Sequence, residues 1–199
     1  MSSIIRLATG SDAVQILDIY APFCNDSSSV VSFEVEPPSQ DEMISRINSV
    51  LQQLPWLVCE QNGQVLGYVY AGLHRQRAAY QWSVEVSVYI RDTERRSGIG
   101  QALYTSLFKI LVLQGYFNAY AGMTLPNPGS ARLHEKMGFK PIGTYHRVGY
   151  KNGAWRDVAW YELSLQPLVS NPEKPKNINI VRNSMEFESA LQSGISLLT

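Results

Sequence analysis

The residues from position 95 to 101 have the types and the spacing to bind a diphosphate. They read Arg95-Arg96-Ser97-Gly98-Ile99-Gly100-Gln101 and stand directly before a helical pattern. The first N–H groups of a helix lack intrahelical partners and the helix dipole makes that end positive, so an anion is stabilised there. Glycine lets a ligand approach the backbone closely, and the two arginines add positive charge. A plain basic turn between a strand and a helix explains these residues equally well, because a short Gly-x-Gly pattern is not specific.

The elements on either side of this loop follow from the hydrophobic periodicity. Residues 83 to 90 alternate between aliphatic and other side chains, which predicts a strand with one aliphatic face. From Ile99 onward apolar residues recur at helical spacing, and Gly115 stands where that helix is expected to end. A strand therefore leads into the loop, and a helix leads out of it.

Two charged features adjoin these elements. Glu85 lies in the strand, on the face opposite the aliphatic one, and a lone glutamate there is either a solvated residue or a functional carboxylate. The cluster His74-Arg75-Gln76-Arg77 precedes the strand. Such a cluster is usually a solvated loop, but a guanidinium also matches a substrate carboxylate bidentately. The pattern alone leaves both alternatives open.

Several motifs together resemble the GNAT superfamily of N-acetyltransferases. The loop motif is Arg95-x-x-Gly98-x-Gly100, and a second motif is Asn127-x-x-Ser130-x-x-Leu133-His134-x-x-x-Gly138-Phe139. The stretches Val84-Glu85-x-Ser87-Val88-Tyr89 and Gly149-Tyr150-Lys151-Asn152-Gly153-x-Trp155-x-Asp157-Val158 resemble the branch that acetylates phosphinothricin and methionine sulfoximine. The resemblance spans residues 4 to 166.

The resemblance implies acetyl-CoA as the acetyl donor. It assigns the diphosphate to the loop, mainly through backbone N–H groups, and pairs the pantetheine arm with backbone groups of the preceding strand. It also implies that Asn127 bonds the donor near its thioester arm. The implied donor-binding residues are Val88, Tyr89, Ile90, Arg95, Arg96, Ser97, Gly98, Ile99, Gly100, Gln101 and Asn127.

The resemblance also implies the catalytic residues. Glu85 matches a glutamate of the branch and is the expected general base, acting directly or through a water; the same carboxylate could instead anchor the ammonium of the acceptor. His134 stands where many members have a tyrosine thought to protonate the leaving thiolate. A histidine there serves as that acid or binds substrate.

The expected acceptor-binding residues lie in two loops and in the strand. The arginine loop is expected to hold an acceptor carboxylate, with Arg77 favoured over Arg75. Phe33 and Glu34 match a region along the substrate cleft, although packing is the commoner role for a residue such as Phe33. The implied set is Phe33, Glu34, Arg75, Arg77 and Glu85.

The function implied is N-acetylation of the α-amino group of a small amino-acid-like acceptor, by direct transfer in a ternary complex. A second hypothesis keeps the fold but changes the acceptor to another small amine or a peptide N-terminus. A third is an acyl-CoA-binding sensor without turnover. The branch also leads us to expect a homodimer.

Composition narrows the class of protein. The 199 residues carry 17 basic and 17 acidic side chains, which gives no reason to expect a nucleic-acid partner. No apolar run suits a membrane span and no signal peptide is apparent, so we expect a cytoplasmic protein with no membrane partner. Cys24 and Cys59 match neither a metal spacing nor a disulfide framework, and no metal is expected.

The fold class expected is α+β. The implied GNAT fold has a mixed, mostly antiparallel central sheet flanked by helices, with the acyl-CoA loop between a central strand and the following helix. Residues 1–166 are expected to form the catalytic domain. Residues 167–199 are expected to form a proline-containing linker and a C-terminal extension. The extension could dock on its own domain, dock on a neighbouring subunit, or remain mobile.

Overall fold

One seven-stranded sheet runs through the molecule in the order β1-β2-β3-β4-β5-β7-β6. The computed structural model describes residues 3–198. Residues 1 and 2 of the predicted catalytic domain and residue 199 of the predicted extension lie outside the described residues. Every neighbouring pair is antiparallel except β4 and β5, which are parallel. The strands are β1 (Ile4–Leu7), β2 (Trp56–Gln61), β3 (Gln64–Leu73), β4 (Ser83–Ile90), β5 (Asn118–Thr124), β6 (Lys140–Lys151) and β7 (Ala154–Ser164).

Helices cover both faces of this sheet. One buried cluster combines α1 and α2 with strands β2 and β3, and the other combines α3 and the C-terminal helices with the opposite face. The arrangement confirms the expected α+β class with a mostly antiparallel sheet. The helices are α1 (Ala13–Asn25), α2 (Gln40–Val50), α3 (Ile99–Gln114), α4 (Pro128–Lys136), α5 (Ile178–Val181) and α6 (Met185–Gln192).

Local sequence signals explain most of the element ends. The Asn62-Gly63 and Asn152-Gly153 pairs adopt positive φ at both residues, as a two-residue hairpin turn requires. Ser39 caps α2 by accepting a hydrogen bond from the backbone N–H of Glu42 at 3.2 Å. Pro22 lies inside α1, which continues past it to residue 25.

The C-terminal extension packs on its own chain. Ile178, Phe187 and Leu191 are buried in the cluster that contains α3. The indole of Trp82 donates to the carbonyl of Glu173 at 2.7 Å, and Gln114 donates to the carbonyl of Lys176 at 2.9 Å. The structure therefore shows the first of the three placements considered, while the division near residue 166 stays a prediction.

The described residues contain neither a helix that could span a membrane nor a side-chain cluster that could hold a metal ion. Across positions 3–198, no helix is both long enough and apolar enough to cross a membrane. In the same part of the chain, no three His, Cys, Asp or Glu side chains are grouped so that they could hold a metal ion.

Candidate active site

The loop before α3 has an unusual backbone conformation. Arg96 and Gly98 both have positive φ, 69° and 86°. Gly98 is the N-cap residue of α3 and offers no side-chain cap. Within residues 3–198, no protein group accepts a hydrogen bond from the backbone N–H groups of residues 96–101. A row of free donors at a helix N-terminus is suited to bind an anion.

The two glycines of this loop are needed for packing. A Cβ on Gly98 would lie 2.5 Å from the carbonyl oxygen of Leu197, and one on Gly100 would lie 3.0 Å from the Leu133 side chain on α4. The missing side chains therefore face protein atoms. Close approach of a ligand, the reason expected from the sequence, is not what excludes a Cβ here.

The side chains around these glycines are partly engaged. Arg95 is exposed; its Nε lies 2.9 Å from Asp92, and its guanidinium carbon lies 5.8 Å from the centroid of the Phe23 ring. The Ser97 hydroxyl donates to the carbonyl of Glu94 at 2.6 Å. Arg96 is exposed as well. The loop therefore keeps at least one cation facing solvent beside its free N–H groups.

Strands β4 and β5 separate at the point where the donor arm is expected to bind. Their parallel pairing covers only Ser83 to Glu85, opposite Asn118 to Tyr120. On its other edge, β4 remains paired with β3 as far as Ile90. The backbone of Val88–Ile90 thus has one edge that is not paired with β5, and an extended ligand can add there as a strand does.

Asn127 begins α4. Its Oδ1 accepts a hydrogen bond from the backbone N–H of Ser130 at 3.1 Å, which makes it the N-cap residue. The carbonyl end of the amide is therefore committed to the helix. The amide nitrogen is the part of this side chain that is suited to a ligand.

A cavity of about 420 Å³ spans the gap where β4 and β5 separate. Glu85 lies in its wall, and Phe33 comes from the loop after α1. The remaining wall comes from β4, β5, β6 and β7 and from the loop after α1. The lining residues are Val31, Ser32, Phe33, Glu85, Val86, Ser87, Tyr89, Gly122, Thr124, Tyr145, Val148, Val158 and Trp160.

The Glu85 carboxylate has two partners. Its Oε1 lies 3.0 Å from Nδ1 of His74 and 3.0 Å from Nη1 of Arg75. The imidazole of His74 stacks on Tyr120, with the ring centroids 4.3 Å apart. The Glu85 side chain is 36% exposed. The carboxylate is therefore held in a defined orientation and still reaches the cavity.

The structure separates several residues that the sequence grouped together. Glu34 does not face the Glu85 cavity; it pairs with Arg46 at 2.7 Å in a second cavity beside α2. Arg75 contacts Glu85, whereas Arg77 is exposed at the start of a short turn and does not line the cavity. Of Phe33 and Glu34, only Phe33 lines the cavity that contains Glu85.

His134 is buried away from this cavity. Its Nδ1 lies 2.8 Å from the carbonyl oxygen of Ser130 and must donate, because a carbonyl only accepts. Its Nε2 lies 3.0 Å from the hydroxyl of Tyr104 and accepts from it in the neutral ring. Burial lowers the pKa of His134 below its usual value and outweighs the hydrogen bond to Ser130, which raises it. The imidazole is therefore neutral, and both of its nitrogens are hydrogen-bonded.

The loop that carries Phe33 is fastened to the β6–β7 hairpin. The buried ammonium of Lys151 donates to the carbonyls of Phe23 and Ser32 at 2.8 and 2.7 Å. Phe33 lies directly over Gly149, where a Cβ would come within 2.5 Å of its ring. The hairpin motif therefore fixes one wall of the Glu85 cavity.

Sequence reasoning missed His74 and the far wall of the cavity. The β3–β4 register places Gly72 opposite Glu85, so an antiparallel pairing of these two strands would have brought His74 near the carboxylate. Thr124, Tyr145 and Trp160 come from strands whose mutual order the sequence does not state. For these residues no local signal exists.

A protein-family model described as "Acetyltransferase (GNAT) domain" matches residues 5–160. This chain belongs to the GNAT acetyltransferase family. It is accordingly an N-acetyltransferase, and the fold described above is the GNAT fold.

Three relatives indicate which members of this family the chain resembles. Phosphinothricin N-acetyltransferase of Streptomyces viridochromogenes is 38% identical over 86% of this chain and 93% of its own length. The L-methionine sulfoximine/L-methionine sulfone acetyltransferase of Pseudomonas aeruginosa is 32% identical over 86% of this chain and 100% of its own. A solved GNAT superfamily phosphinothricin acetyltransferase from Sinorhizobium meliloti, in complex with AcCoA, is 31% identical with a TM-score of 0.81, covering 87% of this chain and 94% of its own.

Proposed function

We propose that this GNAT enzyme transfers an acetyl group from acetyl-CoA to the α-amino group of a small amino-acid-like acceptor. Phosphinothricin and methionine sulfoximine, the compounds in the relatives' names, are the acceptors we favour. The observation that carries the proposal is the position of Glu85, in a cavity that opens where β4 and β5 separate. Donor and acceptor meet at that gap.

The residues of this chain fit the acetyl donor. The free N–H groups of residues 96–101 receive the diphosphate, and Arg96 adds an exposed positive charge. The unpaired edge of Val88–Ile90 receives the extended arm as an added strand. The amide nitrogen of Asn127 lies at the start of α4 and donates from there. Acetyl-CoA, when bound, supplies the activated acyl group.

Glu85 prepares the acceptor. Only the neutral amine attacks a thioester, so the ammonium must lose a proton, and a carboxylate in hydrogen-bond reach can accept it. His74 and Arg75 hold Oε1, which leaves Oε2 for the acceptor. A Glu85 that only anchored the ammonium would bind the acceptor without setting its protonation, and the two roles are distinguished by the effect of Glu85→Gln on kcat.

We assign binding of the acceptor carboxylate to the arginine loop, residues 74–77. Arg75 is tied to Glu85, whereas Arg77 is exposed and available to a carboxylate. Phe33 lines the cavity that holds Glu85 and covers the apolar part of the acceptor there. This arrangement favours a short side chain between two charged ends.

His134 acts through Tyr104. Its neutral Nε2 accepts from the Tyr104 hydroxyl, and both groups are buried. Proton donation from the imidazole itself would need a ring protonated at Nε2, which burial disfavours. We therefore assign to His134 the positioning of the Tyr104 hydroxyl, and direct proton donation to the thiolate is the weaker alternative.

The state of the two cysteines supports direct acetyl transfer without an acetyl-cysteine intermediate. Cys24 and Cys59 are free and buried. Burial raises the pKa of Cys59 to about 11 and also raises that of Cys24, so neither is a thiolate at neutral pH. Neither residue lines the Glu85 cavity.

We also propose that the protein is a cytoplasmic homodimer. Its two thiols are unpaired, which suits a reducing compartment. The β6–β7 hairpin exposes large apolar side chains, among them Tyr150 and Trp155, each 61% exposed. Apolar side chains in such a position suit a contact with a second copy, and sedimentation equilibrium measures the mass directly.

The test of the proposed function is release of CoA thiol with a panel of acceptors. The panel holds methionine sulfoximine, phosphinothricin, free amino acids, a polyamine and a peptide with a free N-terminus. Turnover confined to the amino-acid analogues supports the proposal. Turnover on the polyamine or the peptide keeps the enzyme class and discards the acceptor. Binding of acetyl-CoA without turnover on any member overturns the proposed function.

A further inference from the structure

The C-terminal extension ends against the loop that we assign to the diphosphate. A Cβ on Gly98 would lie 2.5 Å from the carbonyl oxygen of Leu197, and a Cβ on Gly194 would lie 2.0 Å from the carbonyl oxygen of Ala102. Gly98 and Ala102 are one helical turn apart, and the Ala102 N–H donates to the Gly98 carbonyl at 3.0 Å. The segment Gly194–Leu197 therefore packs along the first turn of α3.

This contact is fixed by bonds further along α3. The buried hydroxyl of Ser106 donates to the carbonyl of Leu191 at 2.7 Å and accepts from the N–H of Gly194 at 3.2 Å. Leu191 and Phe187 are buried in the core. The tail is thus anchored to the same helix whose N-terminus faces the diphosphate.

The loop itself has little internal support. Arg96 holds a left-handed conformation, which costs a non-glycine residue on the order of 1 kcal/mol. Among the described residues, the N–H groups of 96–101 have no protein acceptor. A segment that packs against the loop adds to the restraint from the Ser97 hydroxyl, which donates to the Glu94 carbonyl at 2.6 Å.

We propose that Gly194–Leu197 is a positioning element that holds the diphosphate loop in its binding conformation. A loop that is ordered before the ligand arrives loses less conformational entropy on binding, and affinity rises accordingly. The family model ends at residue 160, so this element lies outside the domain that the model describes. The inference rests on the proposed function only in taking CoA as the loop's ligand.

Gly194→Ala is the variant that separates tail from helix. Gly194 has φ of −83°, so alanine brings no backbone strain, and the clash with a backbone carbonyl cannot be relieved by a side-chain rotation. Gly143→Ala is the matched control, since a Cβ there meets nothing within 4 Å. Ser106→Ala, which removes the two anchoring bonds without a clash, is the second variant and carries the test if Gly194→Ala does not fold.

Two measurements on the full chain test the inference without any acceptor. Calorimetry with free CoA gives Kd, and hydrogen exchange of the ligand-free protein gives the protection of the Ala102 N–H, which donates to the Gly98 carbonyl of the loop. We expect Kd to rise on the order of tenfold, because CoA binding would then have to order the backbone of about one additional residue. Exchange of the Ala102 N–H should become faster, whereas Gly143→Ala should match the wild type in both Kd and exchange.

Three results would overturn the inference. One is a variant whose Kd for CoA equals that of the wild type although its hydrogen exchange shows that residues 194–197 have detached from α3. Another is an unchanged exchange rate of the Ala102 N–H in both variants. The third is a rise in Kd for CoA in Gly143→Ala as large as that in Gly194→Ala, which would indicate general loosening. None of these depends on which acceptor the enzyme uses, so failure here is distinct from failure of the proposed function.

Discussion

Nδ1 of His74, which directly follows β3, lies 3.0 Å from Oε1 of Glu85 in β4, the strand paired with β3. The imidazole is fixed from its other side by Tyr120, whose ring centroid lies 4.3 Å away. An aromatic stack therefore holds a histidine that in turn orients the proposed base. The same carboxylate oxygen also receives Arg75.

Removing this orienting ring should slow catalysis without weakening donor binding. We expect His74→Ala to lower kcat about fivefold, since one hydrogen bond contributes about 1 kcal/mol and about 1.4 kcal/mol is tenfold in rate. His146→Ala is the control, because that histidine makes a similar bond to Asp157 at 3.1 Å and does not line the cavity. Steady-state kinetics measure both variants. A normal kcat in His74→Ala, or an equal loss in His146→Ala, would contradict the role.

Arg77 should set the affinity for the acceptor carboxylate. We expect Arg77→Ala to raise the acceptor KM about tenfold or more, since a charge-assisted hydrogen bond contributes about 1.5–3 kcal/mol. Arg77→Lys should recover only part of this, because an ammonium lacks the bidentate fork. The exposed Arg182 supplies the control variant Arg182→Ala. An unchanged acceptor KM in Arg77→Ala would remove the arginine from the site.

Gly149 should control acceptor fit through Phe33. A methyl group at position 149 would come within 2.5 Å of the Phe33 ring, which is part-exposed and able to rotate away. We expect Gly149→Ala to raise the acceptor KM several-fold, with the KM for acetyl-CoA unchanged and Tm close to that of the wild type. Gly143→Ala on the same strand is the control, since a Cβ there meets nothing within 4 Å. Equal acceptor KM values in the two variants would show that Phe33 does not shape the cavity.

His134 should make stability depend on pH. Burial lowers its pKa in the folded state below the usual 6.5, so as the pH falls through 6.5 the unfolded chain takes up a proton that the folded chain does not. The free energy of unfolding should therefore fall below this pH, by about 1.4 kcal/mol for each pH unit between the two pKa values.

Urea denaturation between about pH 5 and pH 8 measures that slope. His134→Gln should flatten it, whereas the same change at the exposed His146 should leave it intact. A wild-type slope in His134→Gln would mean that another group titrates.

Local patterns predicted the elements around the site well. The alternation in residues 83–90 and the helical spacing after Ile99 predicted β4 and α3. Each of these signals depends on neighbouring residues only. The diphosphate loop was placed between β4 and α3 for the same reason.

The partners of the site residues depend on distant contacts and could not be predicted. Glu34 follows Phe33 directly but pairs with Arg46, because the two side chains point to different cavities. The reason for Gly98 lies in Leu197, 99 positions later in the chain. Such pairings follow from the order of strands and the course of the extension, which no local pattern contains.

The central claim is that Glu85 serves as the base for acetyl transfer to an amino-acid analogue. The most direct measurement compares wild type and Glu85→Gln in CoA release with methionine sulfoximine, with CoA affinity measured by calorimetry on both. The account predicts turnover by the wild type, a kcat reduced by about 10²–10⁴ in Glu85→Gln, and equal CoA affinity. A Glu85→Gln enzyme with the wild-type kcat, or a wild type that binds CoA and releases no thiol with this acceptor, would contradict it.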